Sequence, residues 1–392
     1  TGSMGVGGGG LSGVYGFRDG GGRKRAVERF GGSPATESAV EAALRWLARH
    51  QNADGNWACA GFHRNCKGGA CTMPGHKAYN AGVTGLATLA FVGAGYTHKV
   101  GKYREVVDKA LNHMVSNQKP SGLLGTTRVS FWTYNHLIPA LALTETYAMT
   151  RDPKLKEPAQ KAVDYLVKIQ TPYSGWGHNY GTTPGGDNGA DVTGTAWGIQ
   201  VLKAAKIGGL RVDGKAWNGA RALLDKVTRK QSGEGSNEIW ACGYKATTAR
   251  ARRSSATRSA CGLLGYVYMG DRAGGQHVEG LCRRLMQSLP EWDVKHANRG
   301  PTSGDQNMYG WYYGSMALFQ VGGGHWRRWN VAMKKALLEH QVKGGCADGS
   351  WDPIFLWGNT YSPRNMGGRV YSTAICALTL EVYYRYFPSA AK

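Results

Sequence analysis

Residues 39–57 read AVEAALRWLARHQNADGNW, and the rest of the chain writes variations on them. Val40, Leu44 and Leu47 fall at the i, i+4, i+7 spacing of a helix with one apolar face. Gln51 closes that helix. Asn52-Ala53-Asp54-Gly55 is turn chemistry, with Gly55 free to take positive φ, and Trp57 follows as a large apolar plug. The unit returns at 159–176 (AQKAVDYLVKIQTPYSGW) and at 331–351 (VAMKKALLEHQVKGGCADGSW). A reduced copy, 106–124, carries Leu124 in place of Trp. A further helix over 217–231 ends in KQSGEG, and another over 277–292 keeps MQSLPEW. These make six copies. From Gln51 to Gln341, five steps give a period of about 58 residues, room for two helices and their loops.

Between the copies lie helices of a second kind, rich in small and apolar residues nearly all round: 81–95, 134–150, 191–206, 254–270, 309–323 and 369–387. A helix apolar on every side is buried on every side. Six amphipathic helices alternating with six buried ones predict an all-α fold, an α/α toroid with six inner and six outer helices. An open helical solenoid is the alternative. The toroid is expected over 36–388, with the first helix starting near Ser38. Residues 1–35, Gly-rich and basic, are expected to form a flexible arm, or to lie on the toroid through Val14, Tyr15 and Phe17.

Lys and Arg number 48 against 26 Asp and Glu, a formal charge of +22, which favours an anionic surface, polymer or small molecule as partner. No specific nucleic-acid motif is present, and no apolar run reaches the ~18 residues of a membrane span. The opening Thr1-Gly2-Ser3-Met4 reads as a cloning remnant, compatible with a soluble fragment of an exported or membrane-tethered protein; the sequence leaves compartment and oligomeric state open.

The loop after Trp57, CAGFHRNCKGGACTMPGH, packs Cys59, His63, Cys66, Cys71 and His76 into 18 residues. Zinc, a Cys66–Cys71 disulfide and free thiols all remain open for it, because the spacing follows none of the common zinc signatures. Cys242, Cys261, Cys282, Cys346 and Cys376 are scattered. Nothing in the sequence demands a cofactor, and no metal site is assigned.

Inner helices that alternate with outer ones all run the same way, so their N-termini gather at one mouth that favours anions. Tyr134, Asn135, His136, Asp187, Asp191, Trp197, Tyr309, Trp311, Tyr312, Arg369 and Tyr371 are expected at or near it. Arg252, Arg253 and Arg258 add guanidinium forks suited to phosphate oxygens. Asp187, Asp191 and His136 are the acid–base candidates, with helix capping as the structural alternative for the two carboxylates. The remaining residues are candidates for ligand binding.

LRWLARHQNADGNW, VDYLVKIQTPYSGW and LLEHQVKGGCADGSW resemble the Gln-Trp repeats of squalene-hopene and related terpene cyclases, and those of protein prenyltransferase β subunits. The chain also resembles repeat proteins of planctomycete-type bacteria with this prenyltransferase/squalene-cyclase character. The resemblance implies a toroid with a central apolar cavity. It also exposes departures. Against the cyclases' Asp-x-Asp-Asp-Thr-Ala, this chain has Asp191-Val192-Thr193-Gly194-Thr195-Ala196, with no acid at the protonating position. Against the prenyltransferase zinc ligands it offers Cys346 and Asp348, but Ser372 where the histidine would be.

The expected function is therefore a terpene-cyclase- or prenyltransferase-like toroid that binds, and as an enzyme transforms, an isoprenoid or other apolar ligand with an anionic head. A binding or scaffold protein that has lost the family chemistry is one alternative. A carbohydrate-active, lyase-like toroid with a basic cleft is the second.

Overall fold

The computed structural model describes residues 13–67, 69, 71–179, 189–246, 254–292, 307–354 and 367–387. After a 3-10 turn over Gly13–Arg18 and helix α1 (Gly20–Phe30), twelve helices alternate between two rings. The outer ring is α2 (Pro34–Arg49), α4 (Arg104–Ser116), α6 (Pro153–Lys168), α8 (Gly214–Val227), α10 (Gln276–Met286) and α12 (Gly323–Leu338). The inner ring is α3 (Asn80–Gly93), α5 (Tyr134–Thr150), α7 (Val192–Gly208), α9 (Ala256–Tyr268), α11 (Met308–Val321) and α13 (Gly368–Leu380). Short α14 (Val382–Arg385) follows. Each inner helix packs on the next, and α13 returns to α3, while α12 meets α2 in the outer ring. The chain is a closed α/α toroid.

The repeated glutamine explains why the units stack. Gln51 donates from its side-chain amide to Gly55 O in its own turn and to Val106 O in the next outer helix, both at 2.9 Å. Gln118 does the same with Gly122 O and Pro158 O, and Gln170 with Ser174 O and Ala216 O. Gln341, in the last copy, reaches Gly349 O and Ala39 O of the first outer helix, each at 2.8 Å. The bridge that joins neighbours thus also joins the ends. The tryptophans lock the turn from the other side. Indole Nε1 of Trp57, Trp176 and Trp351 donates to Leu47 O, Leu166 O and Leu337 O. Their backbone N–H groups donate to Thr84, Thr195 and Thr373 of the inner helices.

Two local expectations change. The first helix starts at Pro34 rather than near Ser38, because Ser33 and Thr36 cap it reciprocally and proline suits the first helical position. In the fourth copy α8 stops at Val227; Gln231 lies instead on β1 (Thr228–Ser232), which pairs antiparallel with β2 (Ile239–Cys242).

Of the arm expected to be flexible over 1–35, the described part, from Gly13 on, is instead helical and packs on the end of the toroid where the inner helices finish. Tyr15 is buried and Phe17 stacks on Phe387. Arg18, 2% exposed, donates to Val92 O at the end of α3, to Arg385 O and to the Glu145 carboxylate. Arg385 reaches Glu145 from the other side at 3.3 Å, and Tyr386 Oη donates to it at 2.9 Å. Burial alone raises the Glu145 pKa, but Arg18 and then Arg385 bring it below the usual carboxylate range. The carboxyl oxygens of nearby Glu381 are buried with no hydrogen-bond partner among the described residues, and burial pushes that carboxyl up to about 8.

Two stability changes follow. Gln341→Ala removes the amide that joins Gly349 O to Ala39 O across the seam and is expected to cost about 1–3 kcal/mol in urea unfolding. Glu145→Ala leaves two buried guanidiniums without their shared anion and is expected to cost more, about 3–5 kcal/mol.

Candidate functional site at the inner-helix mouth

Asp191 caps α7 and organises the mouth. It is fully buried, and its Oδ1 accepts from Thr193 N (3.0 Å), Gly194 N (2.8 Å) and Thr193 Oγ1 (2.5 Å). Its Oδ2 lies 3.1 Å from His178 Nδ1. Four donors and a helix N-terminus describe an accepting carboxylate rather than a proton donor.

His178 and Tyr244 are the residues the sequence reading missed. Tyr244 Oη lies 3.0 Å from His178 Nδ1, and the Arg258 guanidinium stands 5.0 Å from the Tyr244 ring centre. Tyr134 Oη is 2.8 Å from Thr193 Oγ1, and Tyr309 Oη donates to Thr193 O at 3.3 Å. Burial first, then the negative Asp191, holds the Tyr134 and Tyr244 hydroxyls well above the ordinary phenol range, so both stay protonated. With Nδ1 facing a carboxylate, the neutral form of the ring carries its proton on that nitrogen and its lone pair on Nε2. The His178 side chain is 21% exposed, and its ring stacks on Phe131, whose φ of +58° is costly for an aromatic residue.

A signal for both residues existed. His178 lies two residues after the repeat Trp176. Tyr244 lies two after Cys242, which takes the Trp position: Cys242 N donates to Ser259 Oγ as the tryptophan amides donate to threonines. The site therefore uses the same step beyond the plug in two neighbouring copies.

Below the mouth the ring is filled. Trp197 stacks on Tyr312 at 5.7 Å and meets Tyr313 edge-on; Gln200 joins the Tyr312 and Tyr313 hydroxyls; Arg385 donates to Tyr312 Oη at 2.7 Å. Of the remaining candidates, Trp311 is buried against Trp292. Asn135 clamps α5 to Gly82 N and Ala78 O. Arg369 is held by Thr72 O, Ser350 and Asp352. Tyr371 lies partly buried on α13, packed against the core. Asp187, Arg252 and Arg253 lie outside the described residues.

His136 turns away from the mouth. Its Nδ1 accepts from Leu124 N at 3.2 Å and its Nε2 donates to Ala162 O of α6 at 3.1 Å. In the one copy that replaces Trp with Leu, the histidine does for Leu124 N what threonine does elsewhere.

The cysteine loop divides. His63 and His76 are exposed and Cys59 is buried in the core, whereas Cys66 and Cys71 converge with two residues not grouped with them from the sequence, His50 and Cys346. One ligand atom from each lies within 4.8 Å of all the others, so this cluster, rather than the loop's own histidines, has the makings of a metal centre. The eight cysteines are free.

No family model and no curated protein sequence matches the chain. Solved structures share its fold. An α-1,6-mannanase, GH76A of Salegentibacter sp. HEL1_6, superposes with TM-score 0.56 at 11% identity, covering 89% of this chain and 99% of that one. The unsaturated glucuronyl hydrolase of Bacillus sp. GL1 gives 0.56 at 14% identity, covering 89% and 96%. The type II terpene cyclase MstE from Scytonema gives 0.53 at 15%, covering 90% and 96%. At these identities the likeness is one of fold, and it places the chain among the α/α toroids.

The assignment of His136 to the core carries a pH prediction. Burial pushes its imidazole down to about 4, against about 6.5 in an unfolded chain. Between these values the unfolded chain binds a proton that the native ring rejects. Stability is thus complete above about pH 6.5 and falls by about 3 kcal/mol toward pH 4. His136→Gln is expected to flatten that part of the acid limb in urea unfolding at stepped pH.

Proposed function

We propose that the mouth is an acid–base site for a polar, hydroxyl-rich ligand, of which an acidic polysaccharide is the best match. The observation that carries this reading is the Asp191–His178 pair beside the protonated Tyr244. Asp191 fixes the tautomer, His178 Nε2 is the base, and the Tyr244 or Tyr134 hydroxyl returns a proton to a leaving oxygen. The excess of cations, +22 in total, favours a polyanion.

The isoprenoid reading draws on the aromatic group of Trp197, Tyr309, Tyr312 and Tyr313, whose ring faces suit a cation. It is the less favoured of the two. Alkene protonation needs a strong acid, and Asp191 is held as an acceptor by Thr193, Gly194 and His178. The filled ring interior also favours a ligand held at the mouth rather than one threaded through the centre.

The test is a parallel substrate panel. Polyuronates, glycosaminoglycans and neutral mannan are assayed for new reducing ends and unsaturated products, and farnesyl diphosphate and squalene for new hydrocarbons. Cleavage of a polysaccharide that falls about 100-fold or more in His178→Ala, with a smaller fall in Tyr244→Phe, is the expected result. Hydrocarbon formation indifferent to His178→Ala would contradict it. Binding without turnover would move the assignment to a non-catalytic toroid.

A further inference from the structure

We propose that His50, Cys66, Cys71 and Cys346 bind one structural zinc ion, which clasps the first helix pair of the toroid to the last. The residues come from three places. His50 caps α2, Cys66 and Cys71 lie in the loop between α2 and α3, and Cys346 lies in the turn after α12, 296 residues from His50.

The distances fit the metal. His50 Nε2 lies 3.4 Å from Cys66 Sγ, 3.7 Å from Cys71 Sγ and 3.6 Å from Cys346 Sγ. Around a tetrahedral zinc, with Zn–S about 2.3 Å and Zn–N about 2.0 Å, neighbouring ligand atoms stand about 3.5–3.8 Å apart. A disulfide would use two of the sulfurs and explain neither the third nor the imidazole.

The surroundings suit ligation as well. His50 Nδ1 donates to Trp46 O at 2.7 Å, which sets the tautomer and leaves the Nε2 lone pair for a metal. The ring is held in place by stacking on Trp46, centroids 4.2 Å apart. Cys71 N donates to Cys66 Sγ at 3.2 Å, the kind of backbone bond that stabilises a thiolate. On the far side, Gly344 and Gly345 take φ of +82° and +66°, a course that a side chain would resist, and the turn delivers Cys346 to the cluster. Four protein ligands leave no open position, so the ion would be structural rather than catalytic. Its place is the seam that Gln341 bridges to Ala39 and Arg49 bridges to Asp348 O.

The test is metal analysis of the full chain, purified under reducing conditions and exchanged into zinc-free buffer after one equivalent of zinc. About one tightly held zinc per chain is expected. Cobalt in its place should show the intense visible bands of a tetrahedral thiolate site. Cys346→Ser, checked for its helical circular dichroism, should lose most of the bound zinc, whereas Cys282→Ala should keep it. If Cys346→Ser does not fold, the wild-type cobalt spectrum decides alone. A wild-type chain that retains no zinc, an octahedral cobalt spectrum, a Cys66–Cys71 disulfide by intact mass, or undiminished zinc in Cys346→Ser would each overturn the proposal.

Discussion

A single side-chain amide, repeated, holds the toroid together. The Gln51, Gln118, Gln170 and Gln341 bridges each tie the turn of one copy to the next outer helix. Each amide donates at once to a turn carbonyl of its own copy and to a helix carbonyl of the next, which ties the two at the junction of their buried surfaces. Because the last of these bridges lands on Ala39 of the first outer helix, the units form a ring rather than a stack. An open stack of such pairs would have to cover both end faces with polar residues. Closure removes both faces.

The ring in turn fixes where chemistry can reside. All six inner helices start at one end, and there their caps gather: Asp191 on α7, Ser255 on α9 and Asn307 on α11. The other end is closed by Arg18 and Arg385 around Glu145, cations set against helix C-termini, where the backbone dipoles favour them. Aromatic side chains fill the space between. The two ends thus differ in kind, one a packed ionic plug and the other a polar rim with a partly exposed histidine. The rim combines an oriented imidazole, His178, with the protonated hydroxyls of Tyr134 and Tyr244.

The fold was legible because its signals are periodic. Apolar spacing, glutamine, turn and tryptophan recur, and each recurrence reports the same contact. The mouth was legible only in part. Asp191 stood as an acid–base candidate with capping as the alternative, and it does cap α7; Tyr134 and Tyr309 meet at Thr193. His136 misled because its position one turn into an inner helix suggests the mouth, yet the missing tryptophan at Leu124 draws it back toward α6. His178 escaped notice because its role depends on Asp191, 13 residues on, and on Tyr244 from the next copy. Cys346 met His50 only once the ring had closed. Pairings across the seam are invisible to any local window.

Closure itself is tested most directly by native-state hydrogen exchange, resolved helix by helix. In a closed ring the amides of α2, α3, α12 and α13 are protected as strongly as those of α6 and α7, because the terminal copies have neighbours on both sides. Exchange that begins at α2 and α13 and proceeds inward, with the middle copies protected longest, is the behaviour of an open solenoid and would contradict the closed toroid.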